Sequence, residues 1–398
     1  MINQKVSIIK NFSLRKIIIF AIAAITLGAF FYFISVASIA IAGKPDKPGA
    51  GNPPPSTRTY DMGFSSWPPN FDAGSIASWQ RFFPKHADIK LLHFDSGIPW
   101  PEAYSGAAFS SHLQGDWAFK RDELAPGIKT LLAITPLDFE RSSLALYWGE
   151  AGDGQPLPAP WDQLALNDPM VKEAYVNYLE RAIAYFNPAY VLTGIEANLL
   201  LSNDESQWPA YVELQQYVYD SLKAAHPDLP IAVSFAYDHF IGEFGADTLR
   251  QQAGLQEISP AIDIVGISLY PYDLVLNAAS AAEIKSTLIG NLQPMWDLQK
   301  KVAISEMGVP DRSITVGTTT FDFSSQDQVN FITAVLEMVE ERDLSFVINY
   351  VAIDYDKMLT FFAPELQEIL KIWAWTGLAD SRFRGKPALG VWDSYLAH

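Results

Sequence analysis

The sequence predicts an α/β protein built as a (β/α)8 TIM barrel. From Tyr60 onward, short β-rich runs alternate with longer helical patterns. There are eight such runs. Each is nearly continuous in apolar residues, as a parallel strand buried on both faces requires. A doubly wound open sheet is the rival arrangement. No G-x-G-x-x-G or Walker-type glycine loop follows any run, which removes the usual reason for that rival.

Taken in order, residues 1–42 read as a signal peptide or an N-terminal membrane anchor. Lys5, Lys10, Arg15 and Lys16 form a positive start. An uncharged stretch runs from Ile17 to Ala42 and ends in the A-x-A pattern Ala40-Ile41-Ala42. The stretch is also long enough to span a bilayer as a helix. Either reading predicts export: secreted, periplasmic, or held at a membrane facing outward. Residues 43–59, GKPDKPGAGNPPPSTRT, read as a Pro/Gly linker, and the catalytic domain is expected over residues 60–398.

The strand runs are TYDMGFS, IKLLHFD, IKTLLAIT, AYVLTGIE, PIAVSFAY, IDIVGISLY, KVAISEMG and SFVINYVAID. Between them lie helical stretches such as Val171–Phe186, Ala210–His226 and Ser325–Asp343. In the last, Val329, Ile332, Val335, Leu336 and Met338 recur on one helix face. Ser325 is its expected N-cap, with Gln328 at the capping-box position. GEAGDGQPLPAPWDQ, after the third run, is expected as a long Gly/Pro loop on the rim.

Composition narrows the function. At 49% hydrophobic and 18% charged, the chain can bury a large core. It has no cysteine, so disulfides, thiolate metal sites and cysteine nucleophiles are excluded. Its formal net charge of −17 repels nucleic acid and anionic lipid, and leaves neutral polysaccharide as a comfortable partner. No H-E-x-x-H, H-x-H or G-x-S-x-G pattern is present. A monomer without cofactor is expected.

In such a barrel, chemistry is built where strands end. The strand ends offer Phe64 and Trp67, His93 and Asp95, Thr135 and Asp138, Glu196 and Asn198, then Tyr237, Asp238 and His239. Tyr270 and Tyr272, Glu306, and Asn349, Tyr350 and Asp354 follow. Two isolated glutamates, in TGIEAN and AISEMG, stand at equivalent positions. A charge leaving water without a partner costs several kcal/mol, so each is either paired or at a working surface. Paired carboxylates are the equipment of glycoside hydrolysis. One, protonated, donates to the leaving oxygen; the other, ionised, attacks the anomeric carbon or activates water. Trp67, Trp100, Trp148, Trp161 and Trp208 lie in loops, where indoles stack on sugars or plug gaps. Asp354 and Asp356 read as loop caps. His93, Asp95 and His239 leave a further reading open, a metal-dependent barrel hydrolase.

The order Gly-x-Glu-x-Asn at Gly194–Asn198, ISLYPY at Ile267–Tyr272 and AISEMG at Ala303–Gly308 resembles the retaining TIM-barrel glycosidases of glycoside hydrolase clan A. Within the clan it is similar to the arabinogalactan endo-β-1,4-galactanases. The tail TGLADSRFRGKPALGVW resembles the stretch that closes many members, and the likeness covers nearly all of residues 58–398. It implies a retaining enzyme that cleaves a neutral β-linked glycan, with Glu196 as acid/base, Glu306 as nucleophile and Tyr270 holding the nucleophile. Asn198, Trp67, His93, Asp95, Tyr237, His239 and Tyr350 are the expected substrate contacts. Two positions depart from the pattern. Ile195 stands where the clan has an asparagine for the sugar 2-hydroxyl, and VINYVAIDYD lacks the usual strand-8 tryptophan. The departures open an alternative, a barrel that binds glycan with weakened or lost chemistry.

Overall fold

The computed structural model describes residues 58–122 and 125–397. The signal or anchor expected at 1–42 and the linker as far as residue 57 lie outside the described residues. Arg58 is already tied to the barrel, its guanidinium donating to Tyr60 O at 2.6 Å.

Eight parallel strands close into a barrel, each paired with its neighbours in chain order and the last with the first. They are β1 (Asp61–Ser65), β2 (Ile89–Phe94), β3 (Lys129–Ile134), β4 (Tyr190–Leu192), β5 (Ile231–Ala236), β6 (Ile264–Leu269), β7 (Lys301–Met307) and β8 (Phe346–Asn349). The outer ring contains Ala73–His86, Ser111–Asp122, Pro169–Phe186, Trp208–Ala225, Thr248–Ile258, Ala281–Asn291, Ser325–Glu341 and Pro387–Leu396. Among the described residues no helix is long and apolar enough to cross a membrane.

Strand alternation splits the core in two. Outward residues pack under the helices. Inward residues, among them Ile89, Leu131, Leu192, Ala232, Ile264, Ala303 and Ile348, fill the barrel. The inward set of β6 runs Ile264, Gly266, Ser268, so the parity that fills the core carries Ser268 and then Tyr270 to the mouth.

Two expectations shift. The helix Ser325–Glu341 is capped by Ser324, not Ser325, in a complete capping box with Asp327 rather than Gln328. The sequence offers both frames, and the chosen one puts a carboxylate at the helix start, where the helix dipole favours it. Gln328 is buried instead, donating to Val309 O (3.0 Å) and Gly377 O (3.2 Å). The Gly/Pro stretch after β3 is not a bare loop either. It folds into a small antiparallel hairpin, Tyr147–Gly149 against Gly152–Gln155.

Candidate active site

β4 is short and ends at Leu192, after which the chain leaves the sheet. Gly194 is needed there, since a Cβ would lie 2.1 Å from the Tyr211 hydroxyl. Ser234 in β5 then clamps the turn. Its Oγ accepts the Glu196 N–H at 2.8 Å, and its carbonyl accepts the Ala197 N–H at 2.9 Å. Glu196 is held at φ +49°, a left-handed conformation that costs a non-glycine residue about 1–2 kcal/mol. This turn aims the carboxylate over the barrel axis, with 24% of the side chain exposed.

Glu306 reaches the same place by another device. The β6–β7 register passes from Ile267↔Ile304 to Ser268↔Glu306, so β7 carries one extra residue. Strict alternation from inward Ala303 would turn Ser305 inward and Glu306 outward. The bulge re-aims Glu306 to the axis. It leaves the Ser305 hydroxyl buried without a hydrogen-bond partner.

Ser268 joins the two. Its Oγ lies 2.7 Å from Glu196 Oε1 and 2.8 Å from Glu306 Oε1. The two carboxyl oxygens are therefore no more than ~5.5 Å apart, which admits the retaining geometry of about 5–5.5 Å and falls short of the inverting range of about 6.5–9.5 Å. The Tyr270 hydroxyl lies 3.4 Å from Glu306 Oε2. Burial and then the negative charge of Glu196 push the Glu306 carboxyl up to about 8. Burial also raises Glu196, opposed by the Arg141 cation and by Ser268. The pair is thus built to keep one proton near neutral pH.

Arg141, from the loop after β3, was not anticipated from the sequence. Its buried guanidinium forms a fork with Asp95, at 2.8 Å to each oxygen, and donates to Ile195 O at 2.8 Å. Its Nη2 lies 3.9 Å from Glu196 Oε2. Asp95 is therefore at the site, holding Arg141. Trp373 is the other unanticipated residue. It touches Tyr270 and Tyr350, each at 6.2 Å between ring centroids, and brings an indole to the mouth from beyond the eighth strand. His93 meets Tyr350 edge-on at 6.5 Å, its Nε2 is without a partner, and burial lowers its pKa, which keeps it neutral. Trp67 packs on Tyr355 in the same aromatic cluster as Tyr350 and Trp373.

Other expected contacts lie elsewhere. Asn198 is fully buried. Its amide donates to Ala236 O (3.1 Å) and Gln251 Oε1 (2.8 Å), and its oxygen accepts the Ala236 N–H (2.7 Å). Alternation could not carry it to the mouth, because the strand had already ended. Tyr237 falls on the outward parity of β5 and packs in the outer layer, its hydroxyl accepting from Asn291 at 2.7 Å. Ile195 belongs to the inner apolar layer. His239 stands against Phe244. Trp100, Trp148, Trp161 and Trp208 are buried packing residues. Among the described residues no three His, Asp or Glu side chains gather as metal ligands would.

No protein-family model and no curated protein matches the chain. Solved structures do. A GH53 catalytic domain from Ignisphaera aggregans aligns over 87% of this chain and 99% of its own, at 18% identity and a TM-score of 0.53. Fungal β-1,4-galactanases align over 80% of this chain and 90% of theirs, at 14% identity and a TM-score of 0.53. A GH5_18 structure from Streptomyces cattleya in complex with GlcNAc aligns over 86% and 80%, at 14% identity and a TM-score of 0.59. This chain has their barrel fold.

Proposed function

We propose that the chain is a retaining glycoside hydrolase that cleaves a neutral β-linked glycan by double displacement. The observation that carries this is the pair of glutamates at the ends of β4 and β7, both bonded to one serine hydroxyl and therefore too close for the inverting arrangement. The barrel fold shared with galactanase and GH5_18 structures supports it. In this reading Glu196 protonates the glycosidic oxygen while Glu306 attacks the anomeric carbon, forming a glycosyl-enzyme. Glu196 then deprotonates water, which releases the sugar. Tyr270 orients Glu306, and Trp373 and Tyr350 offer ring faces beside it. The basic start and apolar stretch within residues 1–42 support work outside the cytoplasm.

A second reading, a barrel that binds glycan with weakened chemistry, is favoured by Ile195 and Asn198. Neither provides a polar group beside Glu196 for the sugar 2-hydroxyl.

The test is a screen against aryl β-glycosides and β-linked glucan, galactan, mannan and xylan. Glu306→Ala should lose at least ~10³-fold in kcat on an activated glycoside, partly restored by azide. Glu196→Ala should lose far more on natural glycan than on substrates with good leaving groups. Full activity in both variants overturns the assignment. Tight binding of one polysaccharide without turnover favours the second reading.

A further inference from the structure

We propose that Ser268 is a proton relay between the two glutamates, a positioning residue that decides which of them is the acid; its catalytic consequence rests on the glycosidase reading above. A hydroxyl has one proton to give. Ser268 Oγ makes two short contacts with carboxyl oxygens, and it donates in only one of them. The other contact is a hydrogen bond only if that carboxyl donates. The trio therefore has two satisfied forms. In one, Glu306 donates to Ser268 and Ser268 to an ionised Glu196. In the other, every bond is reversed.

The two forms interconvert by two coupled hops. The Glu306 carboxyl proton moves to Ser268 Oγ as the serine proton moves to Glu196 Oε1. One O–H bond breaks and one forms at the serine, and the negative charge passes from Glu196 to Glu306. No outside acid or base is needed. Ser268 is 2% exposed at the inward end of β6, fixed between the two strand ends it serves.

The surroundings give each form a role. Beside Glu196 stand the Arg141 cation, forked to Asp95, and the carboxyl of Asp238 further along β5's end. Beside Glu306 stands the Tyr270 hydroxyl, with Tyr350 and neutral His93 behind it. Burial and Asp95 oppose an ionised Glu196 while the Arg141 cation favours it, so the two forms share the proton. Double displacement uses the form with the proton on Glu196, and the relay supplies it without releasing a proton to water.

The test has two arms. In the first, the carboxyl carbons of 13C-labelled glutamate are followed by NMR through a pH titration of the native protein and of Ser268→Ala. In the native protein the Glu196 and Glu306 signals should both move in each step, because they share the proton. In Ser268→Ala each step should belong to one residue. Separate titrations in the native protein overturn the proposal, whether or not any glycoside is turned over. In the second arm, Ser268→Ala should lower kcat about tenfold or more near neutral pH with KM little changed. Its pH optimum should move upward, and Ser268→Thr should recover the native profile. A Ser268→Ala profile that superposes on the native one overturns the relay. Absence of turnover in the native enzyme counts against the glycosidase reading and leaves the first arm to decide the relay.

Discussion

Glu306 occupies a place where burial and a neighbouring carboxylate both oppose its ionisation. That has a consequence for stability as well as for chemistry. In the unfolded chain the group ionises in the ordinary carboxylate range; in the folded protein it is held up to about 8. Its contribution is therefore fully present below the ordinary range and is lost as pH rises toward that value. Glu306→Gln carries no charge to bury and can still hydrogen-bond to Ser268. Calorimetry should find the variant and the native protein melting close together near pH 4, and the variant melting several degrees higher at pH 8. A melting-temperature difference that is constant across this range would rule out the buried-charge account. At this scale the sequence was partly legible. Glu196, Glu306 and Tyr270 stood out as polar residues closing apolar runs, and the structure brings them together. Ser268 and Arg141 did not. A serine in a strand and an arginine in a loop are ordinary by type, and their roles come from register and from the path of a loop.

The elements explain the misplacements. Period-two reasoning held inside β5 and β6 and failed at both glutamates, where β4 ends early and β7 bulges. Neither irregularity has a composition signal beyond Gly194. Asn198 was lost with the first of them. Tyr237 would have been placed correctly by counting parity from Ala232. The segment after β8 was legible as a closing element but not in its mechanism. Asp354, 1% exposed, accepts Lys386 Nζ at 2.8 Å and the Gly377 N–H at 3.1 Å, while Lys386 also reaches Asp311 at 3.1 Å and Trp375 O at 3.0 Å. Burial pushes Asp354 up to about 7, and Lys386 holds it down. Lys386→Met would leave a buried carboxylate unpaired, a loss of about 3–5 kcal/mol. The loss should be larger at pH 8 than at pH 5, where Asp354 takes up a proton and needs no cation. Urea unfolding at the two pH values measures this, and an equal loss at both would mean that Lys386 acts by packing alone.

For the molecule as a whole, eight repeats of one unit made the fold easy to read. A missed boundary in one strand does not change the count, and the apolar runs agree with one another. Charge is the other whole-molecule property written in the sequence. The chain carries a formal −17 at pH 7. The mouth gathers more carboxyls, since Glu196, Glu243 and Asp273 all lie close enough to Asp238 to raise its pKa. The Arg141 cation there is already forked to Asp95. An approaching polyanion meets repulsion over a Debye length of about 10 Å at 0.1 M salt, and a neutral glycan meets none. On the glycosidase reading, kcat/KM for a neutral glycan should change by less than about twofold between low and ~0.5 M salt. Binding of a uronic-acid polymer should be weaker throughout and should strengthen as salt rises. Initial rates on the neutral glycan across a salt series, beside binding isotherms for the acidic polymer, measure both. A steep fall in the neutral rate with salt would overturn this account, because a neutral glycan carries no charge for salt to screen. Acidic-polymer binding that weakens with salt would place a basic surface where the charge distribution argues against one.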